Sequence, residues 1–177
     1  MIALTMNDKS DNKRAESKLS SEHKGEATSD KYSMMYANLA GHFSLPEDAT
    51  RFVIMVEQFS QFFDDVADGD EVTRDQINLN IFNCFVGLNS NSFFLSHRLQ
   101  LLPIMELIIL KWQGSDIAER AGEANEKSFM WRAAFYDLIM AVVGICHGHL
   151  KAIEYAPEVM NYYAETFEEY KEEFKIG

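Results

Sequence analysis

Proline and glycine are scarce in this chain: three prolines and nine glycines in 177 residues. A turn-rich β architecture needs more of both, so that class is set aside and helices are favoured. Cysteine is nearly absent. Cys84 and Cys146 form no CxxC pair, which excludes a disulfide framework and a cysteine-rich zinc site. Both sit inside apolar runs, and the expectation is two buried reduced thiols in a reducing cytoplasm. No uninterrupted apolar run is long enough to span a bilayer: the longest, Leu138 to Cys146, falls short of the roughly 20 residues required. The N-terminus has no basic region leading into a long apolar stretch, so no signal peptide is expected. Positive charge is also short, with 16 Lys and Arg against 28 Asp and Glu and a formal net charge of −12. A chain this acidic repels nucleic acid and anionic membrane surfaces. There is no phosphate-cradling glycine loop and no arguable Ser-His-Asp or Cys-His arrangement.

What is present is enough apolar material for a core: 47% hydrophobic and 12% aromatic residues. The length fits one domain. Residues 1–30 are set apart. From residue 7 onward they are polar and charged, and such a stretch cannot bury enough surface to offset its ordering entropy. They are expected to be a flexible arm, ordered only by a partner, ahead of a single helical domain over 31–177. Apolar residues at helical spacing then point to an all-α, compact bundle of about six helices. A short helix is expected over 31–41. Ser44-Leu45-Pro46-Glu47 reads as a capping box opening a helix that stops at Gly69. Thr73-Arg74-Asp75-Gln76 reads as a second box, and Asn89 to Ser92 as a loop and cap. Pro103, and then Gly114-Ser115-Asp116, are expected to break up residues 93–121. A long helix is expected from about Glu123 to Cys146, and a last one from Pro157 to about Phe174.

The densest run of chemistry is Asp64-Asp65-Val66-Ala67-Asp68-Gly69-Asp70. On a helix at about 100° per residue, Phe52, Met55, Val56, Phe59, Phe62, Phe63 and Val66 share one face. Thr50, Glu57, Gln61, Asp64 and Asp68 lie opposite, with Asp65 flanking. Three aspartates in a last helical turn oppose the helix dipole by roughly 0.3–1 kcal/mol each. A cation or a basic neighbour would offset that, so Asp64, Asp65, Asp68 and Asp70 are a candidate site for Mg²⁺ or a basic partner.

Three further groups stand out. Glu106, Arg132 and Asp137 interrupt apolar runs and are rarely buried unpaired. They are expected to form an ion pair, with Glu106–Arg132 the most natural, or a polar pocket between helices. His147-Gly148-His149 favours a helix-terminal histidine over a metal pair, because i and i+2 point apart on a helix. Met160, Tyr163, Phe167, Tyr170 and Phe174 recur at 3-4-3-4 spacing. That stripe packs either on its own bundle or on another chain.

Two resemblances follow. Asp64-Asp65-Val66-Ala67-Asp68 resembles the DDxxD motif of the isoprenoid synthases, an all-α family. The likeness covers these five residues and implies Mg²⁺ held against a substrate diphosphate. The family's second metal motif has no counterpart on a later helix. In length and acidic helical character the chain resembles the small all-α proteins of tailed phages, which include head–tail adaptors and host-directed inhibitors. That likeness implies a protein partner or homo-oligomer, with the host cytoplasm or the virion as its place. The sequence thus leads to a non-enzymatic helical interaction protein that binds neither nucleic acid nor membrane. The alternative is a Mg²⁺-dependent enzyme acting on a diphosphate or nucleotide through Asp64, Asp65 and Asp68.

Overall fold

A computed structural model describes residues 31–162 and 165–176; the arm expected over 1–30 lies outside them. Among the described residues every regular element is helical. Residues 31–37 (α1) run into a π-wound turn, Asn38–His42, carrying the helix past Gly41. Then follow α2 (Glu47–Asp68), α3 (Arg74–Phe82), a second π-wound turn (Asn83–Gly87), the single turn α4 (Leu88–Ser90), α5 (Ser92–Arg120), α6 (Glu126–Arg132), α7 (Phe135–His147), α8 (His149–Met160) and α9 (Phe167–Phe174). The described residues between Glu47 and Phe174 thus hold eight α-helices, where about six were expected.

The end of α2 and the start of α3 follow their sequence signals. Gly69 closes α2 in the left-handed region, φ +78°, where a glycine pays no Cβ penalty. Thr73 and Gln76 close a reciprocal capping box on α3. Asn91 caps α5 by accepting from the Phe94 amide at 2.8 Å, and its amide donates to the Asp48 carbonyl, tying α5 to the start of α2. The box expected at Ser44 does not form. Pro46 occupies the N-cap, and Ser44 sits at φ +50° with its hydroxyl turned back to the Gly41 carbonyl.

The prolines do not break their helices. Pro103 lies inside α5 and Pro157 inside α8. The carbonyl each leaves unpaired belongs to the residue four earlier, Leu99 or Ile153. Both of those residues are exposed, on sides of the helix that water reaches. Gly114 also passes without a break. Conversely, the long helix expected from Glu123 divides at the buried pair Ala133-Ala134, and α6 and α7 meet at a 48° bend.

The core joins residues of the first helical segment (Met35, Leu39), α2 (Phe52, Val53, Val56), α5 (Phe93, Phe94, Leu101, Ile108), α7 (Leu138, Ile139, Val142, Val143) and α8 (Ala152, Val159). α5 packs along α6, α7 and α2, α8 folds back on α7 through Gly148, and α9 packs on α6. Of the cysteines, Cys84 is exposed rather than buried. Cys146 is half-buried, and desolvation pushes its thiol up to about 11.

Candidate functional site

The aspartate run divides as α2 ends. Asp64 is half-buried and faces inward. Its Oδ1 accepts from the Trp112 indole at 3.0 Å, and its Oδ2 lies 3.7 Å from Arg132. Asp65 accepts from Gln61 at 3.0 Å. Asp68 and Asp70 are exposed. Desolvation and the neighbouring Asp64 hold Asp68 above the ordinary carboxylate range, against the pull of Arg132. Mg²⁺ needs carboxylate oxygens that converge with lone pairs to spare. Here Asp64 is turned to Trp112 and Arg132, and among the described residues no three His, Cys, Asp or Glu side chains gather where they could hold a metal ion.

The face of α2 opposite its main apolar stripe is not simply solvated either. Thr50 is buried, and Glu57, Gln61 and Asp64 line a cavity of about 1010 Å³. Its walls also carry Met35, Trp112, Arg132, Phe135 and Tyr162. The volume is at the upper end of what small-molecule sites enclose. Asp65 and Asp68 do not line it. Its ionic groups are partly matched already: Lys31 pairs with Glu57 at 3.0 Å, and Arg132 with Asp64. Its rim residues Lys31, Tyr162 and Glu165 adjoin chain outside the described residues.

Arg132 is the centre of the buried polar chemistry. The expected partner Glu106 is exposed on the middle of α5, so the Glu106–Arg132 pair does not form. Arg132 instead meets Glu119 at 3.1 Å, Asp64 at 3.7 Å and Glu165 at 3.8 Å, and stacks its guanidinium over Phe174. The Glu119 side chain is only 5% exposed. It also accepts from the Tyr170 hydroxyl at 2.7 Å, and Tyr170 is 2.7 Å from Ser128, itself part of the α6 capping box. Burial raises the Glu119 carboxyl above its usual range, opposed by Tyr170 and Arg132. Burial likewise raises the Tyr170 hydroxyl. Asp137 pairs separately, with Lys111 of α5. These groups knit α2, α5, α6 and α9 together.

Glu119 and Trp112 escaped the sequence reading, although a signal existed. Leu101, Ile108, Ser115 and Glu119 recur at seven, seven and four residues down the buried side of α5. That stripe is visible only if the helix is carried through Pro103 and Gly114. The C-terminal stripe turns out to face its own bundle where it is described. Tyr170 is fully buried, drawn in by Glu119 and Ser128. Phe167 and Phe174 flank it half-buried, and the Phe129 ring lies 5.3 Å from Phe167. Met160 is exposed on a different helix, α8, and Tyr163 lies outside the described residues. His147 sits at the end of α7 with its Nε2 on the Phe43 carbonyl at 2.8 Å, while His149 is exposed.

Compared with protein families, with curated proteins and with solved structures, the chain matches none.

The unassigned surface lies elsewhere. α3 and the π-wound turn after it are inverted: their buried residues are Asn80 and Asn83, while Ile81, Phe82, Phe85 and Val86 are exposed, Phe85 at 75%. α5 carries a second apolar side, opposite its buried one, with Leu95, Leu99, Leu102, Leu110 and Ile117 exposed and Leu99 at 83%. Only 22% of its most apolar 18 residues is buried. By length and composition α5 is also the one described helix apolar enough to cross a membrane. Run length alone missed this, because Arg98, Gln100 and Glu106 interrupt it.

Proposed function

We propose that the protein is a non-enzymatic helical interaction protein whose working surface is the apolar exterior of α3, its π-wound turn and α5. The observation that carries this reading is the placement of large apolar side chains outward on α5, a helix whose other side is already in the core. Monomers rarely leave contiguous apolar patches beyond a few hundred Å², and larger ones mark interaction sites. The polar groups argue the same way. The Arg132 cluster is spent on holding four helices together, and Asp64 is already turned to the Trp112 indole and the Arg132 guanidinium.

The double variant Phe85→Ser/Leu99→Ser tests this. By size-exclusion with light scattering, the natural protein runs as an assembly, with itself or with a protein retained from its host, and the variant loses that assembly. Measured at high dilution, the variant melts within about 2 °C of the natural protein, because exposed side chains contribute little to a monomer's stability. A fall of many degrees would instead make these residues part of the monomer's own core and overturn the reading. A natural protein that is a strict monomer and retains nothing overturns it as well.

A further inference from the structure

We infer that the partner of the outer face of α5 is a second copy of this chain, laid antiparallel with its two-fold axis passing beside Leu102; the inference rests on the interaction reading above. Leu95, Leu102 and Ile109 stand at seven-residue intervals, which keeps them within about 20° per step of a single line along the helix. All three are exposed. Between Phe93 and Leu110 the helix carries two charged residues, Arg98 and Glu106. Both are exposed, and neither has an ion-pair partner among the described residues.

The pattern is self-complementary. Arg98 and Glu106 lie four residues on either side of Leu102, and Leu95 and Ile109 lie seven on either side. A two-fold axis at Leu102 therefore sets Leu95 of each copy against Ile109 of the other, and Arg98 of each against Glu106 of the other. Such an isologous contact uses every residue twice. Helices packing 8–10 Å apart leave the two charged side chains within reach across the seam. Within one chain they cannot meet, because eight residues separate them by about 12 Å along the axis. The buried side of the same helix, with Phe93, Phe94, Leu101 and Ile108 in the core, ties α5 to its own bundle and argues against its entering a bilayer alone. A single helix pair sits at the small end of specific interfaces, so association is expected in the micromolar range.

Sedimentation equilibrium of the full chain across the micromolar range, with charge-swap variants, tests the register. The natural protein is expected to be a dimer. Arg98→Glu alone and Glu106→Arg alone each set like charges against each other twice and are expected to weaken the dimer by about tenfold or more. Combining the two restores it to within a few-fold, because the swapped pair has the same geometry. Circular dichroism should be unchanged in all three variants, since both residues are exposed. A natural protein that stays monomeric overturns the inference, as does a dimer indifferent to the single swaps. A monomer that floats with phosphatidylcholine vesicles overturns it in favour of a membrane surface. If Phe85→Ser/Leu99→Ser abolishes an assembly that the charge swaps leave intact, this register falls while the interaction reading stands.

Discussion

Arg132 is the residue on which most of the buried charge depends. One guanidinium stands among three carboxylates, the nearest of them the deeply buried Glu119. Removing one member of a buried pair leaves an uncompensated charge, so Arg132→Met is expected to cost about 3 kcal/mol at neutral pH. The penalty has a pH sign. The Glu119 carboxyl is raised in the folded protein, so in the window between its unfolded value of about 4.3 and its folded one the native state holds the extra proton. Its contribution to stability therefore grows as pH falls through that window and is lost as pH rises out of it. Without Arg132 the carboxyl is raised further. Melting curves of Arg132→Met and the natural protein should converge as pH falls from neutral toward the ordinary carboxylate range, and a gap that widens would contradict this assignment. That Arg132 needs a partner on another helix was legible, since a charge in the run Phe129 to Cys146 is costly alone. The identity of that partner was not. Glu106 lies amid leucines and isoleucines, which reads as burial, but those side chains belong to a helix apolar on both sides, and Glu106 sits on the outer one.

At the scale of elements, legibility followed the chemistry of the ends. α2 stops where Gly69 permits a left-handed residue, and α3 and α5 start where Thr73 and Asn91 offer side-chain acceptors. Those are local devices, and local sequence carries them. The division between α6 and α7 has no such device. It falls at two buried alanines, whose small side chains allow the chain to turn while close-packed. The inversion of α3 was equally hidden, because helical spacing says which residues share a face and not which face is covered. α3 supplies its own test. The Asn80 Nδ2 donates to the Gln76 carbonyl, but its Oδ1 is buried with no hydrogen-bond partner in the structure. An unsatisfied buried acceptor costs roughly 1–3 kcal/mol, and an apolar side chain of similar size avoids that cost. Asn80→Leu is therefore expected to raise the melting temperature, by a few degrees. A clear fall would mean that Asn80 has a polar partner in solution.

For the whole molecule, charge and apolar surface act in opposite directions on assembly, and salt separates them. Each copy carries −12, so two copies repel. Salt shortens the reach of that repulsion to about 8 Å at physiological ionic strength, while apolar contact between Leu95, Leu102 and Ile109 is not screened. The two Arg98–Glu106 contacts are weakened by salt, but they lie at a seam rimmed by leucines and are few against the net repulsion. Self-association through α5 should therefore tighten as salt is raised from about 20 to 300 mM. A complex held by a basic partner on the acidic surface would do the reverse, since opposite charges lose their attraction under the same screening. Sedimentation equilibrium at several salt concentrations reads the sign directly. It tightens if the apolar exterior of α5 is the working surface, and it loosens if the carboxylates of Asp68, Asp70 and their neighbours are. The composition made the acidic surface obvious, whereas the apolar one emerged only when the fold showed that α5 has two apolar sides and a single core to bury them in.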